Sequence, residues 1–247
     1  MREAIIVSTA RTPIGKAYRG AFNNTQAQTL AGHAIREAVS RAGLEGGEIG
    51  DVVMGAALQQ GSQGMNVARQ AALRAGLPQS VAGQTIDRQC SSGLMAIATA
   101  AKQIIVDGQS IVVGGGLDSI SLVQNEHMNL YRAMDPRLLE MQPHTYMPMI
   151  DTAEVVAERY GISRTACDEY ALQSQMRTAQ AQEEGRLPSS RRRVTSSADS
   201  SPVSRATTFL VTVTSMISSS NTLASWAAAV RICDCRAYSS QAVRLMP

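Results

Sequence analysis

The sequence has few features that would place the protein in or across a membrane. No apolar run approaches the roughly 18 residues that a membrane-spanning helix needs. The first strand-like run, Ala4 to Val7, is too short for the core of a signal peptide. The four cysteines are unevenly spaced, which does not indicate a disulfide framework. We therefore expect a cytoplasmic protein that is kept reduced and has no membrane partner.

Aromatic and charged residues are also scarce. Aromatic residues make up 4% and charged residues 17% of the 247 residues, whereas apolar residues make up 44%. This composition is typical of a globular protein and not of a disordered one. A chain of this length forms one large domain or two small ones. Its core must be built from Ala, Val, Ile, Leu and Met.

Glycine is absent from the end of the chain, since all 19 glycines precede residue 188. Average usage of about 7% predicts roughly four glycines in a segment of that length. Residues 188–247 also contain 14 Ser, seven Arg and two Asp but no Lys, which gives a net charge of +5. Residues 1–187 have a net charge of −2. The chain therefore joins two compositions near Leu187.

Strand and helix patterns alternate over residues 1–118. Three apolar runs are typical of buried strands, at residues 4–7, 52–54 and 111–113, and Gln84–Ile86 is predicted to form a further strand between the second and the last of them. Apolar residues at helical spacing lie between them, at residues 27–42, 67–75 and 91–106. This order predicts an α/β fold, a βαβαβαβ unit with a layered, parallel-type sheet. Residues 119–150 lose this periodicity and are predicted to form an excursion over the surface, followed by helices at 152–160 and 163–184.

Local signals predict where several elements begin and end. Thr25–Gln28 fits a capping box at the start of the first helix. Asn66 and Ser163 fit the N-caps of two later helices, and Gly43 fits a helix end. The fourth strand is predicted to lead into three consecutive glycines at residues 114–116. Beyond residue 187 there is no clear order of elements, although Thr207–Ile217 fits a strand and Leu223–Ile232 fits a helix. We therefore expect this segment to be poorly ordered or to dock without a consistent core.

Cys90 lies between the third predicted strand and a long predicted helix, in the segment Asp87–Gly93. Sulfur at a helix N-terminus is close to the positive end of the helix dipole and to free N–H groups, which favours the thiolate. The same N–H groups can stabilise an oxyanion formed at an attacked carbonyl, and Gly93 permits close approach of another backbone. The pattern therefore fits a nucleophile. It also fits an inert cysteine buried in a core.

Residues 1–187 resemble the N-terminal half of a thiolase. The resemblance rests on four segments in the order in which the family has them: Ser8–Gly15, Arg88–Leu94, Gly114–Ser121 and Thr152–Ala157. It implies a thiolase-like layered fold over residues 1–118, followed by a partial excursion domain over residues 119–187. The C-terminal half of the family, a second copy of the fold, is then missing from this chain. The resemblance also implies that Cys90 is the nucleophile that accepts an acyl group.

The resemblance implies acyl transfer with coenzyme A thioesters. In the family the cysteine attacks a 3-ketoacyl-CoA, acetyl-CoA leaves, and the acyl group passes to free CoA; biosynthetic members run the reverse Claisen condensation. The sequence Gln-Cys-Ser-Ser-Gly is more similar to the degradative 3-ketoacyl-CoA thiolases of fatty acid metabolism. Met149 matches a methionine that lines the pantetheine channel, although Ile150 replaces the glycine that follows it. CoA and acyl-CoA are the expected partners in a homo-oligomeric family, with no permanently bound cofactor and no metal.

Three motifs of the family are absent from the sequence. Thiolases activate the nucleophile with the His of a Gly-His-Pro motif, use a second Cys in a Cys-x-Gly motif, and hold a water with the Asn of an Asn-Glu-x-Phe motif. The three histidines of this chain, His33, His127 and His144, have no such context. His33 lies on the first predicted helix, where a solvated or packed role is expected. We therefore expect this chain to be inactive by itself.

The Ser- and Arg-rich segment at residues 188–247 has two interpretations. A glycine-free sequence that follows an abrupt end of the family resemblance is typical of a shifted reading frame, which is the interpretation we favour. The alternative is an evolved interaction segment centred on Arg191–Arg193. Cys233 and Cys235 in the same segment have no nearby histidine and are too few for a structural zinc site.

Three other functions compete with a thiolase. A ketosynthase also places a cysteine at the start of a buried helix, but Ala10–Pro13 and Thr152–Glu154 favour a thiolase. A non-catalytic CoA-binding or interaction module is the second alternative. Nucleic-acid binding is not expected, because one Arg triplet without interleaved aromatic residues is a weak signal.

Overall fold

The structure is a computed structural model that describes residues 3–185 and, for the backbone alone, residues 209–218. Its strands are β1 (Ile5–Arg11), β2 (Gly15–Lys16), β3 (Asp51–Gly55), β4 (Ala82–Ile86), β5 (Ile111–Ser119) and β6 (Phe209–Ser218). Its helices are α1 (Ala27–Arg41), α2 (Val67–Ala75), α3 (Ser92–Ile105), α4 (Ile120–Val123), α5 (Pro136–Met141), α6 (Met149–Tyr160) and α7 (Arg164–Glu183). The chain divides into two compact units. The first contains these strands and α1–α4, and the second contains α5–α7.

The strands form one parallel sheet in the order β1-β6-β5-β3-β4, and β2 pairs with the end of β6. Val53 of β3 pairs with Gln84 of β4 on one side and with Gly114 of β5 on the other. The predicted α/β architecture with a parallel sheet is therefore confirmed. The strand predicted at Thr207–Ile217 is also found, as β6, and it lies between β1 and β5. The origin of residues 188–247 stays a prediction.

Helices cover both faces of this sheet. Successive side chains of a strand point to opposite faces. Val52 and Met54 of β3 therefore pack on the side of α1 and α2, whereas Val53 packs against α3. Burial on both faces explains why β3 and the start of β5 are continuous apolar runs in the sequence. On α3 the residues buried against the sheet lie along one side of the helix: Ala96, Ala100 and Ile104.

Two local expectations from the sequence are wrong. The Thr25–Gln28 capping box does not form, because α1 begins at Ala27 with Gln26 at its N-cap and no side-chain cap. Gln28 Nε2 instead donates to Gln70 Oε1 at 2.8 Å, which joins α1 to α2. Strand β5 also continues through its three glycines to Ser119. Those glycines keep their strand conformation because they pair with strands on both sides.

The other predicted helix ends are confirmed. Asn66 adopts a left-handed conformation with φ +56° and accepts the Arg69 N–H as the N-cap of α2. Its Nδ2 also donates to the carbonyl of Gly83 at 2.8 Å, so that the cap fixes the start of α2 beside β4. Ser163 caps α7 by accepting the Ala166 N–H at 3.1 Å.

Candidate active site

Three glycines bring the first turn of α3 onto the backbone of the sheet. A Cβ atom at Gly55 would lie less than 3.0 Å from the carbonyl carbon of Ser92 and from the nitrogen of Gly93. A Cβ atom at Gly116 would lie 2.9 Å from the Cα of Gly93. The absence of side chains on β3 and β5 is therefore what allows α3 to begin directly above the carboxyl ends of these strands. The close approach that the sequence predicted at Gly93 is found.

Cys90 lies in the turn between β4 and α3, two residues before the first residue of the helix, and its side chain is exposed. Exposure does not fit the alternative of an inert cysteine buried in the core. The preceding residue, Gln89, has φ +49°. A non-glycine residue in this region is costly and must be held by its surroundings.

Hydrogen bonds hold this turn in its strained conformation. Asp87 Oδ1 accepts the Gln89 N–H at 2.8 Å. Ser92 Oγ accepts the Arg88 N–H at 2.8 Å and donates to the carbonyl of Gln89 at 2.6 Å. Because Ser92 is 2% exposed, these two hydrogen bonds are shielded from water. These hydrogen bonds therefore fix the backbone that carries Cys90.

The start of α3 keeps its positive potential. Ser91 at the N-cap makes no side-chain hydrogen bond to the first turn, and the first turn contains no acidic residue. The N–H groups of Ser91 and Ser92 donate to the carbonyls of Arg88 and Gln89 at 3.0 Å, so negative charge is attracted here by the helix dipole and by the remaining N–H groups of the first turn. The position beside Cys90 is therefore suited to an anion, either the thiolate or the oxyanion of an attacked thioester.

The carboxyl end of β5 adds a pair of residues that the sequence did not single out. Gln63 is buried, and its Nε2 donates to Asp118 Oδ1 at 3.1 Å and to the carbonyl of Ala57 at 2.7 Å. Its Oε1 accepts the Ser119 N–H. A signal was available for Asp118, since sites in parallel sheets lie at the carboxyl ends of the strands.

The environment of Asp118 favours its neutral form. Burial raises the pKa of Asp118 to about 7, against the hydrogen bonds from Gln63 and from the Ala57 N–H, which lower it. The negative charge of Asp87 raises the pKa further. At neutral pH this carboxyl group is therefore partly protonated, at the edge of the sheet on which α3 begins.

We expect Asp118→Asn to stabilise the protein above pH 7. The native state holds the proton of Asp118 up to about pH 7, whereas the ordinary value is 3.8, so the free energy of unfolding falls as the pH rises between these values. At about 1.4 kcal/mol per pKa unit, the neutral variant should gain about 2 to 4 kcal/mol at pH 8 relative to pH 4. Urea denaturation at both pH values measures this. Asp107→Asn, at an exposed position, is the control, and an equal pH dependence in all three proteins would contradict the prediction.

The remaining candidate residues are dispersed. Met149 is the first residue of α6 in the second unit and is 71% exposed, and its predicted role toward pantetheine stays a prediction. All three histidines are exposed; His33 lies on α1, as expected for a solvated residue, and His127 lies 3.6 Å from Glu126. The tail candidates, Arg191–Arg193, Cys233 and Cys235, and the helix predicted at Leu223–Ile232 lie outside the described residues.

Other kinds of site are not found in the part of the chain that the structure describes. Two surface depressions of about 250 and 470 Å³ lie on α7 and at the junction of α6 and α7, and neither contains a predicted site residue. Among residues 3–185, no group of three His, Cys, Asp or Glu residues is close enough together to hold a metal ion. In the same range no helix combines the length and the apolar character that crossing a membrane requires.

Comparison with known proteins identifies the family of this fold. Residues 4–190 match the family described as thiolase, N-terminal domain. The 3-ketoacyl-CoA thiolase of Bacillus subtilis is 40% identical over 187 residues, which cover 76% of this chain and 47% of that protein. The 3-oxoadipyl-CoA/3-oxo-5,6-dehydrosuberyl-CoA thiolase of Escherichia coli is 41% identical, with 76% and 50% covered. The chain spans about half the length of these relatives.

A solved structure shows the same likeness in three dimensions. The crystal structure of the Bacillus anthracis acetyl-CoA acetyltransferase superposes with a TM-score of 0.62 at 36% identity, and the match covers 75% of this chain and 49% of that one. The parallel sheet, with α3 rising from the turn that carries Cys90, is thus the fold of a thiolase N-terminal domain. The chain belongs to the thiolase family.

Proposed function

We propose that Cys90 accepts an acyl group from a coenzyme A thioester, as the nucleophile of an acyltransferase. One observation carries this proposal: an exposed cysteine precedes a helix start that has no side-chain cap and no acidic residue in its first turn. The likeness to proteins named 3-ketoacyl-CoA thiolase and acetyl-CoA acetyltransferase supports a CoA thioester as the substrate class. Met149 is proposed to contact the pantetheine arm.

The reaction begins with attack of the Cys90 thiolate on the 3-keto carbonyl carbon of the substrate. The carbonyl oxygen becomes an oxyanion, which the N–H groups at the start of α3 stabilise. Collapse of this intermediate breaks the bond between C2 and C3, and acetyl-CoA leaves after its C2 carbanion takes up a proton. The acyl group, now a thioester of Cys90, then passes to the thiolate of free CoA.

The described residues supply the nucleophile but not an evident proton acceptor for it. His33 lies on α1, and α1 covers the face of the sheet opposite to α3. His127 is exposed beside Glu126 in the first unit. We therefore propose that this chain forms the acyl-enzyme slowly and needs a base from elsewhere for turnover.

Trapping the acyl-enzyme tests the proposed function. Incubation of the purified chain with acetyl-CoA should add one acetyl group to the peptide that contains Cys90, measured by tandem mass spectrometry. Cys90→Ala should abolish the modification, whereas Cys167→Ala on α7 should leave it unchanged. Acetylation of Cys90 and Cys167 at equal rates would contradict the proposal, because it would indicate chemical acetylation of any accessible thiol. CoA binding without acetylation would support the alternative of a non-catalytic CoA-binding module.

A further inference from the structure

Asp118 lies on the face of the sheet from which the Cys90 turn rises. Residues 112, 114, 116 and 118 of β5 share one face because side chains alternate along a strand. Val112 of this set packs against α3, and Gly116 touches the first turn of that helix. Asp118 is the next residue of the same row, one step closer to the carboxyl edge. Its carboxyl group is therefore beside the start of α3.

Asp87 connects this carboxyl group to the nucleophile turn. Asp87 acts electrostatically on Asp118, as one negative charge on another. The same Asp87 accepts the N–H of Gln89, whose φ of +49° sets the direction of the chain into Cys90. A displacement of the Asp87 carboxylate therefore changes the hydrogen bond that holds Gln89, the residue immediately before Cys90.

Gln63 fixes the position of Asp118 within this arrangement. It contacts the Asp118 carboxyl group through Nε2 and the following Ser119 N–H through Oε1. The neighbouring positions on β3 and α3 are glycines, Gly55 and Gly93, which place no charge near Asp118. The nearby guanidinium group of Arg88 donates instead to Met95 Sδ at 3.4 Å. Asp87 is thus the charged group that acts on Asp118 among the described residues.

We propose that Asp118 and Gln63 form a positioning pair for the nucleophile, and that the Cys90 turn is held best while Asp118 is neutral. Once Asp118 ionises, its charge repels that of Asp87 and weakens the hydrogen bond that Asp87 accepts from Gln89. This loss of support for the turn lowers the reactivity of Cys90 as the pH rises through the titration of Asp118, which is centred at about 7.

Alkylation by iodoacetamide tests this proposal in the full chain. The rate at Cys90 is divided by the rate at Cys167 of the same molecules, measured peptide by peptide, so that the general pH dependence of thiol alkylation largely cancels. Two thiols that ionise differently give a ratio that changes with pH by itself, so the wild-type ratio is divided by the ratio in Asp118→Asn at each pH. This quotient should fall roughly fivefold between about pH 5.5 and about pH 8.5, the change that about 1 kcal/mol of repulsion produces.

Two further variants separate positioning from a general effect on folding. Asp87→Asn keeps an oxygen that can accept the Gln89 N–H but removes the charge, so its ratio should follow the same pH profile as in Asp118→Asn. Asp51→Asn removes a carboxylate on the same face at the opposite end of the sheet, where it accepts from Gln103 Nε2 at 2.7 Å, and it should keep the wild-type pH profile. Equal pH profiles in the wild type and Asp118→Asn, or a wild-type profile in Asp87→Asn, would overturn the proposal.

The inference rests on the proposed function only for the role of Cys90 as nucleophile. Alkylation requires neither CoA nor turnover, so the pH dependence can be measured whether or not Cys90 becomes acetylated. If Asp118→Asn does not fold, the comparison of Asp87→Asn with Asp51→Asn still decides the outcome. Acetylation without the pH-dependent ratio would leave the proposed function intact and refute the positioning pair.

Discussion

Gly55→Ala is expected to lower the free energy of unfolding by about 3 kcal/mol or more. The added Cβ atom would lie under 3.0 Å from three backbone atoms of Ser92 and Gly93. Backbone atoms cannot rotate away as a flexible side chain can, so α3 must shift off the sheet or β3 must distort. Overpacking of a tight core costs roughly 1 to 3 kcal/mol and more where the backbone has to move. Here the displaced element is the helix that carries the Cys90 turn.

Gly47→Ala is the matched control for this substitution. Gly47 lies in the turn between α1 and β3, and a Cβ atom there would have no neighbour within 4 Å. It should therefore leave the urea midpoint close to that of the wild type. Gly116→Ala, whose Cβ atom would meet the Gly93 Cα at 2.9 Å, should have an intermediate effect. Equal midpoints for Gly55→Ala and Gly47→Ala would show that α3 does not rest on β3 as described.

Apolar patterning was sufficient to predict most of the first unit. Runs such as residues 52–54 are buried on both faces, and this burial leaves a continuous signal in the sequence. Cys90 was also predictable, because the break between a strand and a helix is visible locally and because thiolases share its flanking residues. A local motif gave a wrong prediction where a tertiary contact was available to the same side chain. Gln28 was predicted to cap the start of α1, but it binds Gln70 of α2 instead.

The Asp118 and Gln63 pair was not predictable from local sequence. Its existence depends on β5 continuing through three glycines, and those glycines stay in the sheet only because β3 and β6 pair with them. The partner strands are distant along the chain, so no short window contains the information. The place of β6 between β1 and β5 has the same cause, since its sequence predicts a strand but not its neighbours.

Thiolysis of acetoacetyl-CoA by the 247-residue chain alone is expected to stay at background. The reaction needs a nucleophile, a base that accepts its proton, and donors for the oxyanion. Cys90 and the start of α3 supply the first and part of the third. The sequence contains no Gly-His-Pro and no Cys-x-Gly motif from which the family draws its base and second cysteine. Loss of a general base and of one oxyanion donor each costs roughly 10²-fold or more in rate.

These losses multiply when the groups act in different steps, so the rate should lie at least about 10⁴-fold below that of an intact thiolase. The assay follows the CoA-dependent loss of the 3-ketothioester absorbance, with Cys90→Ala as the control for chemical cleavage. Wild type and Cys90→Ala should be indistinguishable, even where acetylation of Cys90 is detected in a single turnover. Turnover close to that of an intact thiolase, lost in Cys90→Ala, would instead show that this chain provides its own base. In that case His127 or His144, both exposed and outside the family motif, would be the first residues to substitute.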